Sequence, residues 1–96
     1  MEAITKEMGA PVKLSRSAQA AVGMNHLKTA IRVLEEHKFE YPFNGYTVRH
    51  EPIGVCGLIT PWNWPINQTI SKLGPCLASG CLSLIHISEP TRPVLI

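Results

Sequence analysis

The side chain best suited to chemistry in this sequence is the amide of Asn63, set in the run Thr60-Pro61-Trp62-Asn63-Trp64-Pro65. A proline on either side, two residues away, restricts the backbone, so the amide is presented from a stiff support. An amide N–H held in this way can stabilise a developing oxyanion without adding a group that titrates. Asn also caps helices, and a helical pattern begins directly after it, so the residues alone leave both roles open. Trp62 and Trp64 read by default as packing aromatics. The remaining reactive side chains form no constellation. Cys56, Cys76 and Cys81 have no His or basic cluster beside them in sequence and read as reduced, mostly buried thiols. His26, His37, His50 and His86 lack the spacing of metal ligands, so no metal site is expected.

The elements around Asn63 follow from periodicity. Ile53-Gly54-Val55-Cys56-Gly57-Leu58-Ile59-Thr60 reads as a strand apolar on both faces, which belongs inside a sheet. From Ile66 to Ser79, Ile66, Ile70, Leu73 and Leu77 recur at helical spacing, Gly80 closes the run, and Gly74-Pro75 predicts a kink. Upstream, Met1 to Met8 reads as the end of a helix stopped by Gly9 and Pro11, and one with so little beginning suggests a further segment before it. A long amphipathic helix is expected from about Lys13 to His37, with Gly23 as its weak point. Lys38 to Gly45 breaks that period, with Pro42 and Asn44-Gly45 as turn formers, and Asn44-Gly45 favours a tight hairpin leading into a strand at Tyr46 to His50. Helices, hairpin, buried strand and helix make the start of an α/β unit whose next parallel strand is still to come. Ligands of such sheets sit at the carboxyl ends of the strands, where Thr60 to Asn63 lie.

Composition narrows the rest. The 96 residues are 45% hydrophobic and 17% charged, a globular balance, but so short a chain supports only a marginal core and is apolar enough to expect a neighbour to cover it. Nine Lys plus Arg against seven Asp plus Glu give a net charge of +2, and the basic residues are scattered singly. No footprint for nucleic acid or a membrane surface results. The longest apolar stretch, Ile53 to Thr60, is too short to span a bilayer, and the first residues lack the regions of a signal peptide. A cytoplasmic location is the default expectation. Three cysteines without framework spacing argue against a disulfide-stapled secreted domain.

The run from Glu51 to Pro65 resembles the strand and turn of the aldehyde dehydrogenase superfamily, where Glu-Pro-x-Gly-Val leads to Pro-Trp-Asn-aromatic-Pro. Glu7-Met8-Gly9-Ala10-Pro11 is similar to that family's Glu-Met-Gly-Lys-Pro element, and Lys72-Leu73-Gly74-Pro75-Cys76-Leu77-Ala78-Ser79-Gly80 to its Lys-Leu-Ala-Pro-Ala-Leu-Ala-Ala-Gly helix. The resemblance covers residues 1 to about 81, as the N-terminal fragment of an NAD(P)-dependent enzyme. It implies a partial α/β fold in which helices fill 1–37, a hairpin of the oligomerisation region fills 38–52, and a Rossmann-like cofactor unit starts at 53–81. It further implies that Asn63 shares an oxyanion hole with the backbone amide of a catalytic cysteine. Ile59, Thr60, Pro61 and Trp62 would line the site of NAD or NADP, largely through backbone contacts. The family binds its cofactor without a Gly-x-Gly-x-x-Gly loop, which Gly54 and Gly57 do not make. The implied reaction is oxidation of an aldehyde to an acid: a cysteine thiolate attacks the carbonyl, hydride passes to the nicotinamide, and a Glu-activated water releases the acid. That cysteine and glutamate would lie downstream of this chain, since none of Cys56, Cys76 and Cys81 sits in the matching motif, and the chain alone would be inactive. The parent is expected to be a homodimer or homotetramer.

After Cys81 the resemblance stops. A strand carrying Lys-Pro-Ser-Glu is expected, with lysine and glutamate on the cofactor's ribose, and Leu82-Ser83-Leu84-Ile85-His86-Ile87-Ser88-Glu89-Pro90-Thr91-Arg92 stands there instead. This run reads back, in one frame, as the transposase adapter of sequencing libraries, so residues 82–96 are expected to be a non-native tail. Two other functions remain open at this point: an interaction element that pairs with intact subunits through the hairpin, and an unrelated small binding module.

Overall fold

The computed structural model describes residues 2–88. It is an α/β chain in which helix α1 (Glu2–Met8) is followed by a second helical region, a hairpin and a strand-helix-strand unit. The second region is a long helical stretch, as expected, but not a uniform one. It starts as α2 (Val12–Leu14), passes through a π-helical turn at Ser15–Gln19 and through Ala20 and Ala21, which keep right-handed helical dihedrals, and continues as α3 (Val22–Glu36). Ala20 N donates to Ser15 O at 3.0 Å, the i to i−5 bond of a π-turn. The extra residue shifts the helical face, so Ser15 and Gln19 both point inward, and Ser15 accepts from the Thr5 hydroxyl at 3.0 Å. Gly23, expected as the weak point, lies inside α3. Its role is close packing, since a Cβ there would run into Ile66 Cγ2 of the neighbouring helix.

The hairpin pairs β1 (Glu40–Phe43) with β2 (Tyr46–Arg49) antiparallel through a two-residue turn at Asn44-Gly45, where both residues have positive φ, +48° and +80°. These angles make the mirror-image turn that matches strand twist. Pro42, expected to form a turn, stands inside β1 opposite Thr47. His50 N donates to Phe39 O, so the hydrogen-bonded pairs fall at 39–50, 41–48 and 43–46, and Pro42 occupies a non-bonded pair where no N–H is missed.

Strand β3 (Val55–Thr60), helix α4 (Pro65–Ala78) and strand β4 (Leu82–Ile87) form a parallel unit in which Val55 pairs with Leu82 and Thr60 with Ile87. The parallel strand expected beyond this sequence is therefore inside it, on the residues read as a non-native tail. The part of that reading from Glu89 to Ile96 lies outside the described residues. α4 runs through Pro75 as one helix, and Gly74 allows it to approach Ala30 of α3. The strand expected to be buried on both faces is buried on one. Leu58 and Thr60 are buried, whereas Val55 and Ile59 are 69% and 73% exposed.

The chain is correspondingly short of core. Its radius of gyration is 17.8 Å, against about 12–13 Å for a compact domain of this length. Among the described residues the largest fully buried side chains are polar, Gln19, Thr60 and Ser15. An apolar sheet face left open, with polar groups innermost, is what a segment of a larger packed structure looks like.

Candidate functional site

Chemistry converges at the carboxyl end of β3. Leu82 N donates to Gly54 O and Ser88 N to Thr60 O, so even-numbered residues of β3 turn their backbone groups toward β4 and Val55, Gly57 and Ile59 turn theirs to the other edge. At that edge the Lys72 ammonium, from α4, donates to the Ile59 carbonyl. Thr60 is fixed in place: its hydroxyl donates to His86 O at 3.3 Å, and its carbonyl accepts both Ser88 N at 2.8 Å and the Ser88 hydroxyl at 3.2 Å. Beyond this anchor the chain leaves the strand at Pro61, exposes Trp62 and Asn63, and enters α4 at Pro65.

Of the five residues singled out in the sequence, Ile59 and Thr60 end β3 and Pro61, Trp62 and Asn63 form the turn that follows. Ile59, Pro61, Trp62 and Asn63 are on the surface, and the Thr60 side chain is turned inside. The capping alternative for Asn63 is not what the structure has. Trp64 occupies the N-cap position, with φ −135° and ψ 70°, and no side chain caps α4. Proline at the first helical position removes one amide that would otherwise need a cap. Asn63 is thus left with an exposed amide, and only its backbone carbonyl is engaged across the fold: Gln19 Nε2 donates to Asn63 O at 3.2 Å. Gln19 is 2% exposed, and sequence reasoning passed over it. Ser15 and Gln19 are four residues apart, and both are buried within the π-turn.

Cys56 comes near the other two cysteines, Cys76 and Cys81, across the fold. Burial, then these two neighbouring thiols, push Cys56 up to about 11. Cys81 is held below the ordinary thiol range, first by the Ser79 hydroxyl, 3.5 Å from its sulfur, and then by the backbone amide of Ile53. The cluster lies toward the amino end of the parallel pair. From Cys56 to Thr60 the strand advances roughly 13 Å at 3.3 Å per residue, which puts these sulfurs at the opposite end from Asn63. His26, one of four histidines read as structural, bonds Asn67 Oδ1 through Nε2 at 2.7 Å and ties α3 to the first turn of α4.

Comparison with known proteins agrees with this architecture. The chain is 49% identical over 89 residues to a 3-succinoylsemialdehyde-pyridine dehydrogenase of Pseudomonas sp., a match spanning 92% of this chain and 19% of that protein. The crystal structure of a mutant aldehyde dehydrogenase C of Pseudomonas syringae, in complex with NAD+ and octanal, superposes with a TM-score of 0.84 at 39% identity, over 88% of this chain and 17% of that one. The chain thus spans about a fifth of the length of the relatives it matches. The sequence model of the aldehyde dehydrogenase family matches residues 1–96, and the chain belongs to that family.

Proposed function

We propose that this chain is a segment of an oxidoreductase that converts an aldehyde to a carboxylic acid through a cysteine-bound thiohemiacetal, with Asn63 as one donor of the oxyanion hole. The observation that carries this reading is the Asn63 amide itself, exposed at the carboxyl end of β3 on a proline-braced turn and not used to cap α4. A side-chain N–H in that position bonds the substrate oxygen more strongly as it gains charge, which lowers the barrier to attack. NAD or NADP supplies the hydride acceptor when bound. Ile59, Pro61 and Trp62 offer it an open surface at the strand end, with Ile59 73% and Trp62 38% exposed and the Lys72 ammonium beside the Ile59 carbonyl. Thr60 serves that surface by anchoring the strand end, because its hydroxyl and its carbonyl are occupied by β4 and Ser88.

The nucleophile and general base belong to the remainder of the protein, since the three cysteines of this chain sit at the other end of the strand pair. The chain alone is therefore inactive. Asn63→Ala in the full-length protein is expected to lower kcat by about a hundredfold or more with little change in cofactor affinity. An unchanged kcat would leave Asn63 a purely structural residue.

A role in subunit association is a second reading, supported by the hairpin, whose Phe43 and Tyr46 are 60% and 79% exposed. It fits a cytoplasmic homodimeric or homotetrameric parent, and sedimentation of the full-length protein with both residues changed to Ser tests it. Residues 82–96 we read as an adapter-derived tail in place of the native strand. Long-read sequencing of the source locus decides this, and a genomic reading frame through Ile96 would refute it.

A further inference from the structure

We infer that Gln19 is a positioning residue for Asn63, an inference that rests on the oxyanion role given to Asn63 above. Gln19 sits 44 residues earlier in sequence, in the π-helical turn, and is 2% exposed. Its Nε2 donates to the Asn63 carbonyl at 3.2 Å, while its Oε1 is buried without a hydrogen-bond partner among the described residues. A buried amide that satisfies only one end is retained at an energetic penalty, so the bond it does make is the feature to explain. Asn63 is an exposed residue, yet its carbonyl is bonded from inside the fold by a buried side chain. What the bond does is hold the peptide plane between Asn63 and Trp64.

Holding that plane restrains the ψ of Asn63 and with it the Cα–Cβ bond, the base from which χ1 and χ2 aim the amide. Pro61 and Pro65 limit φ on either side, but the ψ of Asn63 itself is not restricted by either ring. Gln19 supplies that restraint from the helical layer. The π-turn belongs to the same device: removing its extra residue would rotate Gln19 off the inward face, and π-turns recur where a side chain must be re-aimed at a functional site.

The test uses the full-length protein. Gln19→Leu keeps the size and removes the unsatisfied Oε1 together with the Nε2 donor, and a urea midpoint matching wild type checks that folding is preserved. The expected result is a fall in kcat of about tenfold or more, as for a small misplacement of a reacting group, with KM for the cofactor unchanged. In an Asn63→Ala background the same substitution is expected to have no further effect on kcat, because the group being positioned is gone. A kcat in Gln19→Leu equal to wild type, or an equal loss in both backgrounds, would overturn the inference and leave Gln19 a packing residue. If Asn63→Ala alone has no effect, the oxyanion reading itself fails, and the role of Gln19 fails with it.

Discussion

Gly45 and Gly80 have nearly the same backbone, with φ of +80° and +79°, but a Cβ built on Gly45 meets nothing within 4 Å whereas one on Gly80 lies 2.9 Å from Pro52 Cγ. The contrast holds for the regions they belong to. The β1–β2 hairpin closes on its own turn and ladder, with seven of its eight strand residues exposed. The β3–α4–β4 unit exists only through contacts between parts distant in sequence: α4 against α3, the strands against each other, and Gln19 against the turn at Asn63. Local chemistry specifies the hairpin, and packing specifies the unit that carries the candidate site. Substitutions in the two regions should therefore differ in kind as well as in size.

The largest effect is expected at the α3–α4 crossing. Gly23→Val places methyl groups where Ile66 Cγ2 already is, and overpacking of this kind is expected to destabilise the chain by about 3 kcal/mol in urea unfolding. Ile66→Ala in the same chain should recover part of the loss. If the double variant is no better than Gly23→Val, the close approach is not what Gly23 provides. Next comes Gly80→Ala, at about 2 kcal/mol, from left-handed strain plus the contact with Pro52. Gly45→Ala carries the strain alone, about 1 kcal/mol. Its effect should show as faster hydrogen exchange confined to hairpin amides, with the global urea midpoint unmoved. Equal effects for Gly45 and Gly80 would erase the distinction between the regions.

Smaller still is the exposed ion pair across the hairpin. Arg49 Nε lies 2.8 Å from Glu40 Oε2, and both side chains are more than half exposed. Arg49→Ala is expected to cost about 0.5 kcal/mol or less, and that difference should vanish in high salt. A pH effect distinguishes the cysteine cluster. Because the fold raises Cys56 from 9.0 to about 11, it favours the neutral thiol. The corresponding stability is present below pH 9 and is lost as pH rises toward 11. Wild type should lose stability in that window relative to Cys56→Ser, and parallel pH curves for the two would show the thiols to be uncoupled from folding.

How much of this was legible in the sequence follows the same division. Asn44-Gly45, the strand at Tyr46, the helix after Pro65 and the stop at Gly80 are set by short-range rules, and the structure has them where the residues suggest. The proline-braced Asn63 is local in the same sense, and so is the family resemblance carried by its motif. The π-turn within the long helix is not legible because the i to i−5 register at Ser15–Gln19 leaves no mark on apolar periodicity. Strand β3 was expected to be covered on both faces because composition reports how apolar a strand is, not which of its faces this chain can cover.

The sequence by itself thus determined the turns, the helix ends and the identity of the amide at position 63, since those depend on the φ preferences and side chains of adjacent residues. Only the tertiary structure decided that Gln19 reaches the Asn63 carbonyl, that the three cysteines lie toward one end of the sheet, and that Asn63 is exposed at the other. Those outcomes depend on which surfaces pack together, and distances across a fold are not written in the spacing along the chain.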